Sequence, residues 1–291
     1  MHNRRTFLKN AALAAAAAPF IQPEEILNPV PRHIGVQLWS VREDMNKDPK
    51  GTIEAIAKMG YREVEPFGFD GGKLFGMSYD DFSKLLKANG MSMPSTHSMM
   101  TSKAYDESKK DITDDTKKII DNAAKYGVNY LIAPYMVDDD RKKIGTMVDM
   151  FNAAGKYAKK AGVRLGYHNH DFEYTQKASD GRKIIEWLLH ETNPGDLAMQ
   201  MDIYWVAFAQ YNALDWFKLY PGRWELCHAK DLANSEKRES IEVGDGVIDF
   251  KSIFQKSAQA GLKHFVVELE HYKTTPLEGI KKARTNLLKV V

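Results

Sequence analysis

Runs of apolar, β-branched and aromatic residues of strand length recur along the chain at 33–41, 62–67, 91–98, 129–136, 163–170, 197–205, 224–230 and 264–272. They predict eight β-strands. Between them the apolar positions follow helical period: Ile53, Ile56 and Ala57; Phe82, Leu85 and Leu86; Ile119, Ile120 and Ala123; Ile144, Met147, Val148, Phe151, Ala154 and Ala158; Ile184, Ile185 and Leu188. Each set lines one face of a helix. Glycines at 60, 90, 127, 162 and 261 stand just ahead of the next strand, where a left-handed helix cap is easiest for Gly. Strand and helix alternate to the end with no Pro/Gly/Ser-rich linker, a pattern that demands a parallel sheet with crossover helices. Eight repeats are the number that closes into a barrel. An open doubly wound sheet would usually show a Gly-rich phosphate fingerprint after its first strand; here that strand ends Gln37-Leu38-Trp39-Ser40. Residues 31–291 are therefore expected to form a single α/β domain, a (βα)8 TIM barrel.

The first 30 residues read differently. Arg4-Arg5-Thr6-Phe7-Leu8-Lys9 resembles a twin-arginine export signal and is followed by the weakly apolar stretch from Ala11 to Ala18 and by Pro19. Charged, then apolar, then small is the layout of a secretory leader. The expectation is a signal peptide with a short linker, and a periplasmic mature protein. The formal net charge of the 291 residues is only +2, which argues against a nucleic-acid surface. A single cysteine, Cys227, rules out an intramolecular disulfide and a Cys-based zinc site. No run of 18 apolar residues is present, so no membrane insertion is expected after signal removal. Homo-oligomerisation is left open.

A closed barrel gathers its chemistry at the C-terminal ends of the strands. Side chains two apart in a strand share a face, so the strand exits pair Gln37 with Trp39, Glu63 with Glu65, Ser95 with His97, His168 with His170, Asp202 with Tyr204, His228 with Lys230, and Glu268 with Glu270. Charged groups at the mouth of a packed barrel are costly unless paired or bound to a cation. Imidazole and carboxylate on successive strands suit one divalent metal ion, Mn²⁺, Mg²⁺, Co²⁺ or Zn²⁺, with Asp202, His228 and Glu268 the natural set. His190, on a helix, and His271, past a strand end, read as surface residues. Gly244-Asp245-Gly246 looks like a phosphate-cradling turn but lacks the Lys-Ser/Thr of a nucleotide loop. It reads as the seventh βα loop, with Asp249 capping the helix that follows.

The segments GYREVEPFG (60–68), YHNHDFEY (167–174), MQMDIYWV (199–206), HAKD (228–231), EVGDGVIDF (242–250) and FVVELE (265–270) together resemble the xylose-isomerase-like barrel superfamily, the sugar phosphate isomerases and epimerases. The resemblance covers essentially everything after residue 32. It implies a metal held by Glu, Asp, His and Glu from the fifth to eighth strands, of which the last three fall on Asp202, His228 and Glu268. The first Glu has no match, and His168 is expected to stand in as the fourth ligand. The resemblance also implies a small-molecule sugar substrate and a reaction that begins with removal of a proton α to a carbonyl. His170, Glu65, His97 and Lys230 are the groups that could take or return that proton. Gln37, Trp39, Tyr204 and Trp205 are the expected substrate contacts, with Tyr135 and Phe208 as further ring faces.

Reprotonation of the enolate gives an isomerase or epimerase; loss of a β leaving group gives a lyase, for which 3-keto-glycosides are one substrate class. In the epimerases the two ligating glutamates are also acid and base, so the missing Glu makes elimination a serious option. A degenerate barrel that binds sugar without turnover is the alternative. Abasic-site DNA cleavage on the same scaffold is disfavoured by the near-neutral charge.

Overall fold

The computed structural model describes residues 34–70 and 72–291. The export-type segment and His33 lie outside the described residues.

Each of the eight apolar runs contains a barrel strand: β1 (Ile34–Gln37), β2 (Glu63–Glu65), β3 (Ser95–His97), β4 (Tyr130–Ala133), β5 (Arg164–His168), β6 (Leu197–Asp202), β7 (Trp224–Ala229) and β8 (His264–Val267). They form one sheet in the order β2-β1-β8-β7-β6-β5-β4-β3, with every neighbouring pair parallel. Backbone hydrogen bonds close the circle between the segments around β2 and β3, from Val64 N to Ser92 O (3.0 Å), Ser92 N to Arg62 O (2.9 Å) and His97 N to Pro66 O (2.8 Å). The crossover helices are α1 (Pro49–Lys58), α2 (Tyr79–Ala88), α3 (Asp114–Lys125), α4 (Ile144–Lys160), α5 (Ile184–Glu191), α6 (Ala213–Leu219), α7 (Phe250–Phe254) and α8 (Pro276–Leu287). Their buried faces carry the apolar residues read from the period, Ile53 and Ile56 on α1 and Phe151, Ala154 and Ala158 on α4 among them. The five predicted cap glycines all adopt positive φ, between 64° and 92°, a region in which a Cβ is strained. Asp249 caps α7 as expected, accepting from Ser252 N at 3.1 Å.

β1 and β6 are shorter than the runs that announced them, because polar side chains at their ends take over the backbone donors. Gln37 accepts from Trp39 N (3.0 Å) and opens a 3-10 turn, Leu38–Val41. Asp202 accepts from Trp205 N (3.2 Å) and starts the helix Ile203–Phe208 within the predicted strand. These turns decide which rim residues face the mouth.

On β6, Met199 and Met201 join the large cluster packed under the helices, whereas Ala198 belongs to a separate buried cluster with Tyr130, Ile132 and Leu226. That second cluster plugs the barrel interior. At the N-terminal face Glu225 is consumed by Tyr130 Oη (2.9 Å), Arg164 Nε (3.0 Å) and Lys263 Nζ (2.6 Å). The C-terminal mouth is built differently.

Candidate functional site

The last residues of β1, β2 and β3 are Gln37, Glu65 and His97, and all three are buried. With Gln200 of β6 they form a polar floor above the apolar plug. Glu65 sits at its centre: Oε1 accepts from Gln37 Nε2 (2.9 Å) and His228 Nε2 (2.6 Å), Oε2 accepts from Gln200 Nε2 (2.8 Å), and His97 Nε2 lies 3.0 Å from Oε1. Burial alone would raise its pKa, but the imidazoles of His97 and His228 outweigh it and hold the carboxyl well below the usual range. Its four close partners are all nitrogen groups. His97 is committed too, with Nε2 2.9 Å from Gln200 Oε1 and Nδ1 3.3 Å from Gln37 Nε2. Glu65 and His97, both expected to take or return the substrate proton, are thus engaged by hydrogen bonds within the floor. Gln37, expected to touch substrate, is likewise spent on Glu65, His97 and Trp39 N.

Above the floor, β5 ends in His168, β6 in Asp202, β7 carries His228, and Glu268 follows β8 by one residue. One ligand atom from each of the four lies within 4.8 Å of the others, and all four are buried. Backbone register puts Asp202 beside His228 and Gln200 beside His168. His228 Nδ1 is 3.1 Å from Glu268 Oε2, and His168 Nε2 is 3.7 Å from Asp202 Oδ2. Burial opposes charge on His228, yet Glu268 and Glu65 outweigh it and raise its pKa to about 10. Burial, then the neighbouring imidazoles, push His168 well below its ordinary value. Burial raises Asp202, with Lys230 opposing. Asp202 Oδ2 is a buried oxygen with no geometrically sound hydrogen bond, although Lys230 Nζ is 3.0 Å away. An under-satisfied carboxylate oxygen beside two imidazoles and a second carboxylate is a donor set that fits one divalent cation. His97, His168 and His228 also cluster within 4.8 Å, but His97 is held by the floor.

Lys230 is completely buried, with Nζ 2.8 Å from Glu268 Oε2 and 2.7 Å from Glu270 Oε1. Its pKa is raised well above the ordinary value: burial lowers it, but Asp202, Glu268 and Glu270 together prevail. It is an ammonium ion, a donor and not a base. His170 lies between the rings of Tyr135 (5.1 Å), His168 (5.0 Å) and Trp205 (5.4 Å), and its buried Nδ1 has no partner. Burial and the Lys230 charge lower its pKa to about 3, which leaves a neutral imidazole. Glu173, missed in the sequence, holds this loop by accepting from His170 N (2.8 Å) and Tyr167 Oη (2.6 Å).

Trp39 is 42% exposed on the rim, edge-on to Phe67 at 5.0 Å, and Tyr135 is exposed across the β4 exit. Trp205 is half-buried with an unpartnered Nε1. Tyr204, expected to touch substrate, is 4% exposed, its hydroxyl donates to Arg238 O (3.0 Å), and its ring covers Lys230. His190 and His271 are exposed, as expected, and Cys227 is buried.

A (βα)8 barrel with a histidine and carboxylate cluster at the C-terminal strand ends belongs to the class of barrels whose site is assembled from strand exits. The model of the xylose isomerase-like TIM barrel matches residues 53–289, and the chain belongs to that family. A crystal structure of a sugar phosphate isomerase/epimerase from Parabacteroides distasonis is 28% identical and superposes with a TM-score of 0.76 over 89% of this chain and 94% of that one. Among curated proteins, an inosose dehydratase of Geobacillus thermodenitrificans is 29% identical over 47% of this chain and 51% of its own length. One from Lacticaseibacillus casei is 24% identical over 53% of this chain and 56% of its own. The chain thus spans about half the length of the curated relatives it matches.

Proposed function

We propose that this chain is a divalent-cation-dependent lyase that removes the proton α to a carbonyl of a small keto-sugar or keto-glycoside and expels a β-oxygen substituent. The observation that carries the reading is the uncommitted Nδ1 of His170. Of the four groups expected to act as base, Glu65 and His97 are locked in the floor and Lys230 is an ammonium ion, whereas His170 is neutral and has a nitrogen to spare. When bound by His168, Asp202, His228 and Glu268, a divalent ion supplies Lewis acidity toward a carbonyl and its neighbouring hydroxyl. His170 accepts the proton. Lys230 faces the same mouth as a fixed cation that steadies negative charge developing on oxygen or protonates the departing group. Trp39, Tyr135, Trp205 and Phe208 offer apolar faces to a sugar ring.

Elimination is supported by the names of the curated relatives, since a dehydratase removes water, and by the imidazole that replaces one of the paired acid-base carboxylates. Isomerisation uses the same enolate and is supported by the name of the 28% identical Parabacteroides protein. The rim arginines favour an unphosphorylated substrate, because each is committed locally: Arg42 to Trp39 O and Tyr272, Arg141 to Met136 O and Asp138, Arg238 to Ala207 O. The proposal includes a periplasmic site of action, based on residues 1–30; recovery of the mature protein in the cytoplasmic fraction alone would contradict that part.

Solvent-deuterium uptake into a panel of keto-sugars and 3-keto-glycosides, followed by NMR, tests the chemistry. Exchange is expected to be EDTA-sensitive, with unsaturated product appearing from substrates that carry a β leaving group. His170→Gln should slow exchange by roughly 10²–10⁴-fold with the cation content unchanged; exchange at the wild-type rate removes His170 from the mechanism.

A further inference from the structure

Gln200 is a fully buried, uncharged residue of the floor, two residues before Asp202 and on the same face of β6. Its amide touches three groups. Nε2 donates to Glu65 Oε2 at 2.8 Å, and Oε1 faces both His97 Nε2 at 2.9 Å and His168 Nδ1 at 3.0 Å. The opposite amide orientation would set two oxygens against each other at Glu65 and two donors against each other at His97. His97 Nε2 must also supply a proton toward Glu65 Oε1, 3.0 Å away, so the observed orientation is the one that satisfies all contacts. An amide oxygen only accepts. His168 must then carry its proton on Nδ1, which leaves the Nε2 lone pair facing Asp202 Oδ2.

We propose that Gln200 is the positioning residue that makes His168 an imidazole-nitrogen ligand, and that the resulting set of two nitrogens and two carboxylates selects a zinc-like cation, Zn²⁺ or Co²⁺, over Mg²⁺. This rests on the cation site proposed above. On the other side of the cluster Glu65 accepts from His228 Nε2 at 2.6 Å and turns Nδ1 toward Glu268. One connected network, Gln200 to Glu65 to His228, therefore aims both imidazoles at the same point, the outer-shell arrangement that orients metal-bound histidines. Replacing a carboxylate by an imidazole removes one negative charge and one hard oxygen. That moves affinity away from Mg²⁺, which favours oxygen ligands, and toward ions that accept imidazole.

Two measurements on the full chain decide it. Long-range ¹⁵N–¹H correlation of the histidine rings in cation-free wild type should show His168 protonated on Nδ1; protonation on Nε2 overturns the proposal without reference to any variant. Calorimetric titration should give Zn²⁺ or Co²⁺ binding that excess Mg²⁺ does not displace, and Gln200→Leu should weaken Zn²⁺ roughly 10- to 100-fold with loss of the single His168 tautomer. A Leu variant that binds Zn²⁺ as tightly as wild type, or displacement of Zn²⁺ by Mg²⁺, contradicts it. If wild type binds no divalent ion the cation reading itself fails, while the ring spectrum still judges what Gln200 does to His168.

Discussion

Glu65 and Glu173 are both fully buried carboxyls, and their surroundings push them in opposite directions. Nitrogen donors from two amides and two imidazoles surround Glu65 and keep it ionised. Glu173 has the Tyr167 hydroxyl and the His170 backbone amide, and burial prevails, raising its pKa to about 8. Below that value the folded protein holds a proton that the unfolded chain gives up near pH 4.3. Its contribution to stability is therefore complete below about pH 4.3 and declines as pH rises through about 8. Urea unfolding from pH 5 to 9 should show wild-type stability falling with pH, and Glu173→Gln should flatten that slope; an unchanged slope assigns the decline to other groups. Asp202, His228 and Glu268 were legible in the sequence because a polar residue at the exit of an apolar run has a defined side of the barrel. Gln200 follows the same alternation, two residues earlier, but carries no charge and drew no attention. Tyr204 and Gln37, expected at the substrate, have protein partners that alternation does not encode, Arg238 O for the first and Glu65, His97 and Trp39 N for the second.

The βα elements carry the same lesson. All eight strands were legible from β-type runs and all five cap glycines from their spacing, but strand length was overestimated wherever a side chain captured the backbone. The glycine turn after β7 shows the effect most fully. Asp231 Oδ2 accepts from Gly244 N (2.9 Å) and Gly246 N (3.1 Å), and Oδ1 accepts from Leu232 N (2.8 Å) and Ile248 N (3.0 Å). The amide cradle that looked suited to a phosphate is filled by a carboxylate of the same chain. A Cβ on Gly246 would lie 2.4 Å from both Asp231 Oδ1 and Leu232 O, so the backbone can wrap Asp231 this closely only at a glycine. The last Asp of HAKD is thus a loop clamp. Asp231→Ala leaves those amides without their acceptor, at about 1–3 kcal/mol for each one that stays buried. Limited proteolysis should cut 243–249 faster and the melting temperature should fall; unchanged cleavage and melting would show that the clamp does not hold the loop.

Through the whole molecule the barrel is layered along its axis. An apolar plug of Tyr130, Ile132, Ala198 and Leu226 is covered by the amide and carboxylate floor, then by the cluster of His168, Asp202, His228 and Glu268, and the mouth is edged by Trp39, Tyr135 and Trp205. The plug supports the floor from below, and the floor fixes the imidazoles from behind. At the opposite face the ion pairs of Glu225 with Arg164 and Lys263 satisfy one another, consistent with stability at one end and chemistry at the other. Among the described residues no helix is long and apolar enough to cross a membrane. The proposed cation site is the piece on which the mouth, the floor and the proposed chemistry all depend. Elemental analysis of purified wild type and of Asp202→Ala/His228→Ala, with circular dichroism to establish that both are folded, should find one divalent ion per chain in the first and none in the second. A folded wild type that takes up no ion, or a double variant that keeps it, would contradict it.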